Sequence, residues 1–297
     1  MKKSLLECVP NVSEGRDRRV IEAIADAVRR THGVRLADIH SDPDHHRTVF
    51  TLLGAPEAVE AGVLALAETA LSLIDMRTHH GVHPRLGAVD AVPLVPLRGV
   101  SIQEAAAIAR RVGQQIGERF QLPVYFYGAA ALRPERRELV SLRRGGYEAL
   151  SSRLGDPTWL PDAGPHRFNE RTGAMAIGAR DILVAFNVWL DSNDLDAAKS
   201  IARAVRESSG GLPGVQAMGF RLERHGCVQV SMNLTDYRRT SLKDAFEAVR
   251  QEAARYRISV KRSELVGLAP REALGAADPA SLGLPDLPPP QLLESYL

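Results

Sequence analysis

The order of strand-like and helix-like segments in the second half of the chain limits its possible folds more than any other feature. Apolar runs predict four strands there, at residues 181–190, 215–223, 227–234 and 260–268. Helical spacing of apolar residues predicts two helices between them, at 194–208 and 241–256. The resulting order, β-α-β-β-α-β, is that of the split βαβ or ferredoxin-like unit. The sequence therefore predicts an α+β fold.

The first half of the chain repeats this order up to about residue 96 and then adds one helix and one strand. Strands are predicted at residues 4–9, 34–39, 48–53, 91–96 and 123–127, and helices at 17–30, 56–74 and 102–120. Ser101 and Glu104 predict a capping box at the start of the last of these helices. We expect two related subdomains, residues 1–179 and 180–297, with an irregular stretch at 130–173 and a Pro- and Leu-rich tail from 270 that wraps or frays.

Charge and cysteine content narrow the class of protein. The 297 residues include 38 basic and 36 acidic side chains, a net charge of +2. This balance argues against a protein specialised for nucleic acid or a membrane surface. Cys8 and Cys227 cannot make a disulfide framework, and no apolar run reaches about 18 residues. We therefore expect a cytoplasmic enzyme that acts on small molecules.

Histidines are concentrated in two predicted loops. Six of the nine lie between residues 40 and 83, namely His40, His45, His46, His79, His80 and His83. Imidazole suits proton transfer near neutral pH, but loop histidines can also be merely solvated. With Asp38, Asp42 and Asp44 they could instead supply zinc ligands. Their spacing is not H-E-x-x-H and no cysteine pair supports a metal, so we expect none.

The segment Gly81–Asp90, GVHPRLGAVD, is the sharpest local pattern. Pro84 favours an extended conformation of His83, and Arg85 offers a planar fork for a carboxylate. The segment could also be a purely structural Gly/Pro loop. Other chemistries lack a signal, because no G-x-S-x-G, P-loop or dinucleotide-binding motif occurs.

Several long segments resemble the glutamate formimidoyltransferase (formiminotransferase) family. They are ECVPNVSEG at 7–15, RTV at 47–49, IDMR at 74–77, GVHPRLGAVD at 81–90, PVYFYG at 123–128, GAR at 178–180, AFN at 185–187 and ELVGL at 264–268. The resemblance runs from about residue 5 to 275. It covers the transferase part of the family and no cyclodeaminase domain, which implies a stand-alone transferase.

The resemblance implies two ferredoxin-like subdomains with a folate-binding groove between them. It implies that His83 is the catalytic residue and that tetrahydrofolate is the co-substrate. Substrate-binding residues are expected at Asn11, Arg47, Arg85, Gly164, His166, Arg167, Arg171, Gly173, Arg206 and Gly210. The resemblance implies that the family's folate-binding segments fall on residues 164–173 and roughly 204–211. A homodimer is implied by the family alone.

One position departs from the animal enzymes of the family. An aspartate thought to support catalysis there aligns with His40 here, while Asp38 and Asp42 flank this histidine. Asp38 and His40 would share one face of a strand, because side chains alternate along it. We therefore expect His40 or Asp38 to assist His83.

The implied reaction transfers a formimidoyl group from N-formimidoyl-L-glutamate to N5 of tetrahydrofolate, as in histidine degradation. Transfer of a formyl group between 5-formyltetrahydrofolate and glutamate is an alternative within the family. A metal-dependent hydrolase built on the histidine loops and a non-catalytic folate-binding module are alternatives of other classes.

Overall fold

The computed structural model describes residues 4–284, 288 and 291–297, and it divides into two compact units, Met1–Asp181 and Ile182–Leu297. Each unit has its own sheet and its own hydrophobic core. The predicted α+β class is confirmed.

The first unit is built on a seven-stranded sheet. Its strands are β1 (Leu5–Cys8), β2 (Asn11–Val12), β3 (Val34–Asp42), β4 (Arg47–Gly54), β5 (Val89–Arg98), β6 (Val124–Gly128) and β7 (Met175–Ala179). β1 and β2 are separated by Val9 and Pro10, and both pair with β4 and β5. β3 pairs with β4 at one side of the sheet. β7 lies between β5 and β6 and is parallel to both.

Three long helices cover one face of this sheet, α1 (Arg18–Arg29), α2 (Pro56–Leu73) and α3 (Ile102–Phe120). Their apolar stripes pack against Leu6, Phe50, Val92 and Ile177, which are all fully buried. The predicted capping box at Ser101 and Glu104 starts α3.

The opposite face of the sheet is mixed in character: it carries the buried carboxyl groups of Glu7 and Asp90 and the aromatic rings of Tyr125 and Tyr127, because residues alternate between the two faces. Part of it is covered by the stretch from 130 to 173, which the sequence predicted to be irregular. That stretch contains the short helices α4 (Leu139–Arg143) and α5 (Leu150–Arg153). Leu142 and Leu150 pack there against Tyr125 and Tyr127.

The second unit has strands β8 (Val184–Leu190), β9 (Val215–Leu222), β10 (Cys227–Leu234) and β11 (Val260–Val266), with helices α6 (Leu195–Val205) and α7 (Leu242–Arg255). The sheet order is β11-β8-β10-β9, with every pair antiparallel. The predicted element order of this half is confirmed.

The tail after residue 270 packs onto the core of the second unit where the structure describes it. Leu282, Leu284, Leu292 and Leu293 are buried. Ala269 and Gln291 are joined by a backbone hydrogen bond of 3.0 Å. Of the two predicted alternatives, wrapping or fraying, these residues show wrapping, while 285–287, 289 and 290 lie outside the described part.

Candidate functional site

His83 lies in the loop that leads into β5. Nδ1 is 2.8 Å from the Pro84 carbonyl oxygen, which can only accept a hydrogen bond. This contact favours the tautomer with the proton on Nδ1, which leaves Nε2 as the basic nitrogen. Nε2 faces the Arg47 guanidinium, whose Nη1 also lies 3.1 Å from Nδ1. The loop thus presents an unprotonated nitrogen beside a cation.

The charges around His83 keep it neutral. Burial lowers its pKa well below the usual value, and the positive charges of Arg47 and Arg143 and the nearby His45 lower it further. The ring centroids of His45 and His83 are 5.6 Å apart. Burial and Arg143 also lower the pKa of Arg47 to about 10, against the opposing effect of Asp90 and Asp42. At neutral pH, His83 is a free base and Arg47 a cation.

Asp90 anchors the far end of the His83 loop. Its side chain is 1% exposed, accepts a 2.9 Å hydrogen bond from the Leu86 backbone N–H, and pairs with Arg143. Because this buried carboxylate is satisfied by both groups, the path of the chain from His83 to β5 is fixed. Arg143, on α4, is thereby held near both Arg47 and His83.

Arg85 was predicted to bind a substrate carboxylate, and its fork contacts protein groups. Nη1 and Nη2 donate to the two oxygens of Glu148 at 2.9 and 2.7 Å. Nε donates to His79 Nδ1 at 3.2 Å. In this arrangement the planar fork holds the loop rather than facing outward.

Asp38, His40 and Asn11 lie on strands of the same sheet as β5. Asp38 and His40 are on β3, opposite Thr51 and Val49 of β4, and they share one face of that strand. The Asn11 amide donates to the Val9 carbonyl at 2.8 Å and is mostly buried.

The predicted folate segment 164–173 combines structural glycines with exposed basic side chains. Gly173 has φ +72°, and a Cβ there would lie less than 3.0 Å from the Leu86 carbonyl oxygen. This close approach joins the segment to the His83 loop. His166 and Arg167 are exposed, while Arg171 is exposed and donates to the Ser72 carbonyl.

Arg206 and Gly210 belong to the second unit, in the turn after α6. Arg206 Nε donates to Ser209 Oγ at 2.8 Å. Gly210 has φ +88°, and a Cβ added to it would meet no atom within 4 Å, so this turn is open.

Sequence reasoning missed three residues that contact or bias the site: Arg143, Glu148 and Glu14. Arg143 and Glu148 lie in the irregular stretch, where no periodic pattern indicated a position. Glu14 entered only as part of the segment ECVPNVSEG at 7–15, with no role of its own. Their partners are 53, 63 and 32 residues away in the chain, so local patterns carry no signal for them.

Within residues 4–284, 288 and 291–297, no group of three or more His, Cys, Asp or Glu side chains is arranged to hold a metal ion. None of the helices in the same residues combines the length and apolar character needed to cross a bilayer.

A neutral imidazole beside two guanidinium groups is an arrangement that suits proton transfer on an anionic small molecule, and the scaffold that carries it is of the α+β class. Comparisons with known families narrow this class. Residues 5–180 match the formiminotransferase domain, N-terminal subdomain, and residues 185–279 match the formiminotransferase domain. The chain belongs to the formiminotransferase family.

Named relatives agree with this assignment. The chain is 43% identical to a glutamate formimidoyltransferase of Thermoplasma acidophilum and 40% identical to one of Streptococcus pyogenes serotype M1, in each case over 91% of this chain and 90% of the relative. It is 45% identical to the formimidoyltransferase-cyclodeaminase of Rattus norvegicus, of which it covers 51%. The chain thus spans about half the length of that fused relative.

Proposed function

We propose that this protein is a glutamate formimidoyltransferase. It transfers the formimidoyl group of N-formimidoyl-L-glutamate to N5 of tetrahydrofolate and yields 5-formimidoyltetrahydrofolate and glutamate, a step of histidine degradation. Family membership over both halves of the chain, with relatives of that name, is the observation that carries the proposal.

The reaction requires one proton to change places. N5 attacks the formimidoyl carbon, a tetrahedral intermediate forms, and the bond from that carbon to the glutamate nitrogen breaks. N5 loses its proton and the leaving nitrogen gains one, so the transfer balances without a further reactant. His83 Nε2 accepts the first proton and returns it to the leaving nitrogen, which is the role that a neutral imidazole fills best.

Arg47 is the proposed contact for a substrate carboxylate. Its guanidinium faces His83, and a carboxylate there would lie next to the reacting nitrogen atoms. Such charge-assisted hydrogen bonds fix orientation as well as position, which contributes to the rate. Arg85, which Glu148 and His79 already engage, we assign to holding the loop.

The remaining predicted residues keep their proposed roles. Tetrahydrofolate is the co-substrate, and the exposed His166, Arg167 and Arg171 suit the carboxylates of its glutamate tail. Arg206 and Gly210 are proposed to contribute to folate binding, and Asp38 and His40 to assist His83. The order β11-β8-β10-β9 supports a ferredoxin-like second subdomain. Division into subdomains at residues 179 and 180, a cytoplasmic location and a homodimer remain predictions.

The test is direct formation of product. Purified protein is mixed with tetrahydrofolate and N-formimidoyl-L-glutamate, and 5-formimidoyltetrahydrofolate is measured by absorbance and mass spectrometry. A parallel reaction contains 5-formyltetrahydrofolate and glutamate, and a third contains a chelator. We expect the first reaction to be the fastest and to proceed with chelator. No product from formimidoylglutamate, or complete loss of activity with chelator, would refute the proposal.

A further inference from the structure

The two histidine-rich loops of the first unit touch each other. One joins β3 to β4 and ends at Arg47; the other contains His83. The Val82 N–H donates to the Asp44 carbonyl at 3.3 Å. A Cβ on Gly81 would lie less than 3.0 Å from the His45 carbonyl oxygen. The geometry of Arg47 relative to His83 therefore depends on how these loops are held together.

His46 and His79 join the two loops, because each ring contacts the loop that carries the other. Their rings stack with centroids 4.1 Å apart and planes 7° from parallel. His79 Nε2 donates to the His46 carbonyl at 2.8 Å, and His46 Nδ1 donates to the His80 carbonyl at 3.1 Å. Each ring thus binds the backbone of the opposite loop.

Charged residues close both ends of this stack. Glu14 Oε1 lies 3.2 Å from His46 Nε2. Burial raises the pKa of Glu14, but hydrogen bonds from His46 and two backbone N–H groups outweigh it and lower this pKa to about 2. At the other end, His79 Nδ1 accepts from Arg85, which is paired with Glu148. The result is a continuous chain, Glu14–His46–His79–Arg85–Glu148.

We propose that His46 and His79 are positioning residues, which set the orientation of His83 toward Arg47 without touching substrate. The chain position supports this, because Arg47 directly follows His46, and His79 and Arg85 flank His83. The His79 side chain is only 4% exposed, so its ring is buried against its stacking partner and does not face a substrate. The expected effect on turnover rests on the proposed function. The expected effect on the orientation of His83 rests on the loop geometry alone.

Two variants test the role of His79 by removing different contacts. His79→Phe keeps an aromatic ring for stacking and removes both hydrogen bonds, whereas His79→Gln removes the ring. We expect kcat to fall about 10- to 100-fold in both, the usual cost of an angstrom-scale misplacement. The Kd for tetrahydrofolate should stay within about threefold of the wild-type value, as expected for a misplaced rather than missing group. His80→Gln is the matched control, because its side chain is exposed and its backbone carbonyl makes the contact; it should behave as wild type.

A second readout is independent of the reaction. The titration of His83 is followed by NMR in the labelled protein, where burial, Arg47, Arg143 and His45 hold its pKa below 6.5. In the His79 variants a loosened loop should let this pKa rise toward 6.5, and His80→Gln should leave it unchanged.

The outcomes are separable. Wild-type kcat together with an unshifted His83 titration in both His79 variants would overturn the inference. If the wild-type protein forms no product, the proposed function is wrong. The NMR titration of His83 then decides by itself whether His79 positions His83. Circular dichroism identifies variants that do not fold. In that case Arg85→Lys, which loses the Nε–H that donates to His79 Nδ1, supplies the same two readouts.

Discussion

At the scale of single residues, the histidines of the site differ in what their ring nitrogens face. His79 lies between an arginine and a carbonyl, and burial, the largest effect on it, lowers its pKa to about 4. His83 instead directs its unprotonated nitrogen at the Arg47 guanidinium. The second arrangement places a base next to a cation, which suits the proposed proton transfer on an anionic substrate.

Replacing Arg47 tests this division of roles. Arg47→Gln removes charge-assisted hydrogen bonds worth about 1.5–3 kcal/mol, so kcat/KM for formimidoylglutamate should fall about 10- to 100-fold. Arg19→Gln is the control, because the Arg19 side chain is 92% exposed and pairs with Asp17 on the surface. Steady-state kinetics with varied formimidoylglutamate gives kcat/KM for Arg47→Gln and for Arg19→Gln. An unchanged kcat/KM in Arg47→Gln would remove Arg47 from the substrate site.

The sequence drew attention to His83 and to Pro84 after it from local features alone. It could not indicate that Arg85 is bound by Glu148, since that ion pair joins residues 63 positions apart. Long-range polar partners depend on the tertiary path of the chain. Local motifs therefore predict a role for the imidazole, but they carry no signal for most of the groups that surround it.

At the scale of elements, the loop of His83 is held by a backbone contact that needs glycine on both sides. Gly87 and Gly173 form a bridge, and the Ala88 N–H donates to the Thr172 carbonyl at 2.9 Å. This contact brings the predicted folate segment against the His83 loop.

Alanine at Gly173 should therefore destabilise the protein. Its Cβ would lie less than 3.0 Å from a carbonyl oxygen in a backbone with φ +72°. We expect a cost of at least about 1–3 kcal/mol. Gly210 also has a positive φ, but a Cβ there would meet no neighbouring atom. Gly210→Ala therefore measures the free-energy cost of the backbone conformation alone. Urea denaturation compares the two. Equal losses in both variants would show that the close approach contributes nothing.

Most long elements followed from periodicity, because amphipathic helices and apolar strands carry a repeating signal. β7, Met175–Ala179, was not predicted. Its sequence MAIGA is short, rich in small residues and poor in β-branched ones, so it lacks a strand signal. Its place between β5 and β6 comes from tertiary pairing alone.

At the scale of the whole molecule, burial of ionisable groups makes stability depend on pH. Glu7 on β1 is 5% exposed, and burial raises its pKa from 4.5 to about 7 against the lowering effect of Arg180. Because this carboxyl has a higher pKa in the folded state than in the unfolded state, the folded protein becomes less stable as the pH rises from 4.5 through about 7.

Glu7→Gln should remove this loss, because the amide cannot ionise. We expect the thermal midpoint of the variant to exceed that of the wild type by a few degrees at about pH 8 and to match it near about pH 4.5, as the sign of the linkage requires. Leu73→Gln, at an exposed position, is a control that should show no such pH-dependent difference. A difference independent of pH would contradict the assignment to Glu7 ionisation.

The most direct test of the central claim is the turnover of His83→Ala beside His80→Ala, measured as 5-formimidoyltetrahydrofolate formed. If His83 carries the proton between the two nitrogen atoms, its loss should lower kcat by about 10²- to 10⁴-fold while His80→Ala stays near wild type. A folded His83→Ala protein with near-normal turnover would contradict the account.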